Sequence, residues 1–320
     1  MSTIAVGPGF PGDGQNYSGN FIPALWSGKL IEKFYDATVL AAISNTDYEG
    51  EITSYGDKVV IRTKPNITIR DYISETDPLT NERPVSDAVE LNIDKGKYWS
   101  TVLDDVMEIQ SDIDMMSMWA DDASQQMKIQ IDSDVMKAIR DDIVGNTNSG
   151  ATAGAVSGGI NFGVTGAPIP IDDTNIIDMI TKAGQALDEN NIPEQGRWMI
   201  ISAAMAQLIK RSELRDASLT GDGVSILRNG RLGMIDRFTL YGSNLIPRDA
   251  AGGTVTNVLL PGETAVPFGH SHGLTFASQL TKVETLRAES TFGTILRGLQ
   301  VFGYKVVDDT AVGEIVATGV

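Results

Sequence analysis

The chain has no cysteine. That excludes disulfide frameworks, thiolate nucleophiles and Cys-ligated zinc or iron–sulfur sites, and it fits a reducing cytosol. Histidine is nearly missing: the two present, His270 and His272, confine imidazole chemistry to one short stretch. Basic residues are few. Lys+Arg 25 against Asp+Glu 42 leave a formal net charge of −17, which repels phosphate backbones and anionic lipid and argues against sequence-specific nucleic-acid binding. No Lys or Arg precedes Lys29, so the basic start of a secretory signal is not expected. The longest apolar run, Trp198 to Ile209, contains Ser202 and Gln207 and is too short to span a bilayer.

What is there is an ordinary globular composition, 42% hydrophobic and 21% charged over 320 residues. This is enough for about two domains, or one with elaborations. Residues 1–28 carry one charge, Asp13, and several Gly and Pro, and read as an arm without a core of its own. Residues 24–44 space Leu25, Ile31, Phe34, Val39 and Ile43 at roughly helical intervals.

Next comes a β region. "GDKVVIRT" (56–63), "NITIRDYIS" (66–74) and "SDAVELNID" (86–94) read as strands, the last two alternating apolar with polar. A polar loop with two prolines, "ETDPLTNERPV", separates those two, so the expectation is a long ribbon in which Ile67 and Ile69 share a face with Val89, Leu91 and Ile93. An isolated two-stranded ribbon is marginal in water, so this arm needs a surface, on its own chain or on a neighbour.

Residues 111–143 place Ile113, Met116, Trp119 or Ala120, Ala123, Met127, Ile131, Val135 and Ile139 three and four apart, predicting one long helix of roughly 50 Å at about 1.5 Å per residue. The stripe is too loose for a coiled-coil seam. Residues 144–170 are a Gly/Ala/Ser/Thr-rich connector, the best candidate for a domain boundary. Asp172 to Thr174 then introduce a helix with Ile176, Ile177, Ile180, Ala183 and Leu187 on one face. It should end at Asn190 and Asn191, ahead of Pro193. Gly196 leads into the apolar strand 198–201, and Ser202 caps a helix reaching about Leu214. Residues 227–247 give turn, strand and exit at Pro247, and the remainder is β-rich. Segregated elements without a repeat predict an α+β chain rather than alternating βαβ units.

Catalytic patterns are nearly but not fully formed. Gly7, Gly9 and Gly12 have dinucleotide-fingerprint spacing but lack the strand before and the helix after. Gly269, Ser271 and Gly273 match a nucleophile elbow, yet no histidine follows His272 to close a triad, so a glycine-rich turn is the better reading. His270 and His272 could hold a metal with a carboxylate nearby, but two turn histidines are the plainer expectation. No catalytic, cofactor-binding or metal site is assigned, and no cofactor.

The order of these elements resembles the major capsid protein of tailed bacteriophages, whose fold encapsulin shells share. The resemblance rests on arm, ribbon and long helix, then on "NNIPEQGRWMIIS" between two helices, "LGMIDRFTLYGSNLIP", and the closing "KVETLRAESTFGTILRGLQVFGYKVVDDTAV". It implies an arm (1–55), an extended loop with the start of a peripheral domain (56–107), a spine helix and connector (108–171), an axial domain (172–280) and a return to the peripheral domain (281–320). It implies self-assembly into hexamers and pentamers of an icosahedral shell around viral DNA, in a virion assembled in the host cytoplasm. A separate scaffolding protein and a portal protein are the partners it implies. DNA is present only as cargo, and no membrane is involved. The loop residues expected at the subunit interface are Ile67, Ile69, Tyr72, Asp77, Pro78, Leu79, Arg83, Pro84, Val89 and Leu91. The alternatives are an encapsulin-like nanocompartment and, from a different class, a hydrolase using Ser271 or a histidine-bound metal.

Overall fold

The computed structural model describes residues 35–47, 58–65, 67–71, 81–86, 88–110, 114–212, 233–248, 259–289 and 291–320. The arm 1–34, the Gly7/Gly9/Gly12 pattern, Ile113, and Tyr72, Asp77, Pro78 and Leu79 lie outside the described residues, as does Leu214. The described residues from Tyr35 to Val320 form one compact unit.

Among the described residues, three sheets organise it. A two-stranded ribbon pairs β1 (Lys58–Arg62) with β2 (Ala88–Asn92). An antiparallel sheet has the order β3-β10-β9, from Lys95–Asp104, Gly293–Val306 and Leu274–Arg287. A six-stranded sheet has the order β4-β11-β8-β5-β7-β6. Its strands are β4 (Ile169–Pro170), β5 (Arg197–Ile201), β6 (Met234–Ile235), β7 (Phe238–Gly242), β8 (Glu263–His270) and β11 (Val312–Thr318). The closing segment therefore divides, β10 entering the three-stranded sheet and β11 the six-stranded one.

The helices are α1 (Leu40–Ile43), α2 (Asp105–Gln110), α3 (Met115–Ile143), α4 (Ile176–Glu189) and α5 (Ala203–Arg211). The long helix is capped by Asp114, whose side chain accepts from Ser117 N. Its buried stripe is Ile131, Val135, Met136, Ile139 and Ile143, all in the C-terminal half. The expected Met116, Trp119, Ala123 and Met127 are only half-buried.

The run Arg197–Ile201 is buried at every position. A strand alternates faces, so full burial requires cover on both. Met199 and Ile201 join a core with α4, α5 and the connector, while Trp198 and Ile200 join a second core with α1 and α3. Local chemistry sets the frame. Asn191 ends α4 at φ 57, Gly196 turns the chain at φ 86, and Ser202 Oγ accepts from Met205 N to start α5. The buried Arg197 guanidinium donates to the carbonyls of Pro193, Ile192 and Gly184 and to Asp188, tying the turn to the end of α4. The Gly-rich connector is packed: Ile160 and Phe162 lie in the first core, and the Asn146 and Asn148 amides donate to the carbonyls of Asp309, Thr310 and Val312.

Candidate subunit-interface surface

The ribbon departs from the sequence expectation. β2 pairs with β1, in the register Ile61↔Val89 and Val59↔Leu91, and residues 67–71 lie outside any strand. Leu91 and Ile93 are buried with Ile61 and Ala277, packed by Val59, Val301 and Val307. Ile67 and Ile69 share no face with them. They project from the loop, Ile69 at 90% exposure. The reason is competition: β1 offers the same alternation as 67–71, and it lies where its apolar side can be buried against β9 and β10.

Beyond the ribbon the two legs of the loop stay tied by side chains. Thr68 donates through its hydroxyl (3.0 Å) and backbone N–H (3.1 Å) to Glu82, and Ser86 Oγ donates to Thr63 O at 2.6 Å. The Thr68 hydroxyl and then its N–H hold the Glu82 carboxyl below its ordinary range. Arg83 and Pro84 are exposed and Val89 is half-buried. Leu91 has no accessible surface, so it supports the loop from within the chain and has no side chain to offer a neighbour, contrary to expectation.

The surface that sequence reasoning missed is the outward face of β3-β10-β9. Opposed residues of an antiparallel sheet share a face, and the registers give Tyr98–Leu299–Lys282, Ser100–Arg297–Glu284 and Val102–Ile295–Leu286 as successive rows. The apolar Tyr98–Leu299 and Val102–Ile295–Leu286 thus flank a polar row in which Arg297 and Glu284 form an ion pair, joined by Lys282 from the end of the first row. The Lys282 and Arg297 side chains hold the Glu284 carboxyl below its ordinary range. Tyr98 is 80% exposed and, with Leu299 and the polar row, lines a cleft of about 510 Å³. At one end, Phe292, Val106, Met107 and Ile109 expose further apolar surface. The signal in the sequence was "KYWSTVLD", where apolar residues fall on both faces of one strand.

The histidine stretch forms the turn between β8 and β9. His270 ends β8 and His272 lies in the turn, so the two do not share one strand. Both His270 ring nitrogens meet backbone: Nε2 pairs with Gln195 O at 2.7 Å, and Nδ1 accepts from His272 N at 3.1 Å. Ser271 N donates to Gly196 O, fastening this turn to the one before β5. Among the described residues no group of three or more His, Asp or Glu could hold a metal, and no helix is long and apolar enough to cross a membrane.

A family model described as phage capsid protein matches residues 87–315. Among solved structures, the chain is similar to one from Mycobacterium phage Che8, at 26% identity and a TM-score of 0.74, covering 92% of this chain and 97% of that one. It shares its fold with the capsid structure of the cyanophage P-SCSP1u, at 16% identity and a TM-score of 0.73, covering 94% of each chain. It also shares it with the capsid of a native GTA particle, at 14% identity and a TM-score of 0.64, covering 95% of this chain and 98% of that one. No curated protein matches.

Proposed function

Because this chain belongs to the phage capsid protein family and is a shell-forming virion protein, we propose that its copies group into hexamers and pentamers held together by the exposed loop and sheet surfaces. The observation that carries this reading is surface incompleteness. Ile67, Ile69 and Val85 project from a loop that the other described residues leave exposed, and Tyr98, Leu299 and Leu286 stand on an open sheet face. Apolar surface of this extent gains by burial against copies of the same chain, at roughly 25 cal/mol per Å².

In this reading residues 1–55 are an arm reaching a neighbour, and 56–107 carry the loop that overlaps the next subunit. Residues 108–171 hold α3 and the connector, 172–280 form most of the axial wedge, and 281–320 return through β10. Ile67, Ile69, Tyr72, Asp77, Pro78, Leu79, Arg83, Pro84 and Val89 remain the loop's contact candidates. Assembly takes place in the host cytoplasm with a separate scaffolding protein and a portal. The net charge of −17 suits a wall from which packaged DNA is repelled rather than bound. The chain's role is structural, with no reaction assigned to Ser271 or the histidines.

Deleting Asp77–Pro84 tests the loop. A folded chain that elutes as small oligomers on gel filtration and forms no shells in negative stain is expected. Normal shells from the deletion would remove the loop from the interface.

A further inference from the structure

The apolar surface at the end of the sheet face, where Val106, Met107 and Ile109 are exposed, runs into a cleft not assigned above to contacts between copies. Between the edge of β3 and the N-terminal half of α3 lies a cleft of about 430 Å³, lined by Thr101, Val102, Trp119, Asp122 and Ala123. On its floor the Thr101 hydroxyl is buried with no hydrogen-bond partner among the described residues. The apolar surface continues along the half-buried Met115, Met116 and Met118 of α3 and the exposed Val106, Met107 and Ile109 of α2. Methionine is the most adaptable apolar side chain, suited to partners that come and go.

The charge of this region is mostly negative. Every charged side chain from Tyr98 to Met127 is acidic, beginning with Asp104 and Asp105 and ending with Asp121 and Asp122. Arg287 reaches in and pairs with Asp105, leaving Asp104, Glu108 and Asp121 exposed. A second copy of a chain with net charge −17 is poorly matched to such a rim.

We propose that this cleft docks an amphipathic helix with a Lys/Arg-rich polar face, carried by a protein other than the shell subunit. The periodicity of the ligand decides helix over strand. A helix presents an apolar stripe with charges along both margins, so its bases fall on the acidic borders while its stripe fills the cleft. A strand turns alternate residues to its far side, which would carry the bases away from the rim.

The test uses the full unassembled chain and a fluorescein-labelled 18-residue peptide of Leu and Lys at helical spacing, with a Leu/Glu peptide as control, read by fluorescence anisotropy. Saturable binding of the Lys peptide is expected, at least tenfold weaker in 300 mM than in 50 mM salt, with none for the Glu peptide. Glu108→Lys with Asp121→Lys should weaken it at least tenfold, and Ile109→Ser several-fold, while Asp178→Lys on the exposed side of α4 leaves it unchanged. Equal losses in the Asp178→Lys variant would reduce the effect to bulk charge and overturn the proposal, as would binding of the Glu peptide or no binding at all. Shell formation is scored separately by negative stain and is expected to survive both charge reversals. Loss of shells with those reversals would show that a second copy covers this face, and would also overturn the proposal.

Discussion

Arg140 on α3 and Glu314 on β11 form a two-pronged ion pair inside the protein. Nε lies 2.8 Å from Oε2 and the second prong spans 3.3 Å, with both side chains almost fully buried. The pair joins the long helix to the six-stranded sheet across 174 residues of sequence. Burial raises the Glu314 carboxyl above its ordinary range, opposed by the Arg140 contact. Removing one partner leaves the other charge buried without this two-pronged pair. Glu314→Gln should therefore cost about 3–5 kcal/mol in urea denaturation of the unassembled chain, whereas Arg140→Met with Glu314→Leu should fall far closer to wild type.

Asp132 fastens the segment entering α1. One carboxylate oxygen accepts from Val39 N at 2.6 Å and Leu40 N at 3.3 Å, and burial raises this carboxyl above its ordinary value of 3.8 despite those bonds. A raised folded-state value means the folded chain holds the proton more tightly. Its contribution is then present below pH 3.8 and lost as pH rises through the folded value. Between pH 4 and pH 7, wild type should lose more stability than Asp132→Asn, whose side chain does not titrate. Parallel urea midpoints would count against this account.

Glu189 behaves in the opposite sense. The N–H groups of Ser157 and Val156, each 2.9 Å away, pull its carboxyl down from 4.5 to about 2. The contribution of a depressed acid is complete above pH 4.5 and fades as pH falls toward 2. Glu189→Gln should thus be less stable than wild type above pH 5, and the gap should close near pH 2. Thermal midpoints across that range supply the check.

Leu91 and Ile69 separate folding from assembly. Leu91 is sealed against Ile61, Ile93 and Ala277, so Leu91→Ala should cost about 2–5 kcal/mol of subunit stability. Ile69 is 90% exposed, so Ile69→Ser should change subunit stability by less than about 0.5 kcal/mol while lowering the yield of shells. Denaturation and particle counts on both variants decide. An Ile69→Ser chain with full shell yield would remove this side chain from the contact.

Much of the frame around β5 is legible in the sequence because its signals are local. Ser202 caps the helix it precedes, Gly196 takes the left-handed turn, and Ile176, Ile180, Ala183 and Leu187 form the buried stripe of α4. The loop was less legible. Ile67 and Ile69 carry the same alternation as Val59 and Ile61, and period two assigns residues to a face without choosing the strand that pairs with it. The exposed rows on β3-β10-β9 were invisible for a related reason: Tyr98 and Leu299 lie far apart in sequence and become neighbours through register alone.

Residue composition and short-range order by themselves excluded cysteine chemistry and determined where helices cap and which segments are apolar. Folding in three dimensions decided that Leu91 is sealed and Ile69 is not, that Arg140 finds Glu314, and that α3 is buried along half its length. A side chain's type is set where it stands in the chain. Its burial depends on what distant segments bring against it, and in a shell subunit part of that cover belongs to other molecules.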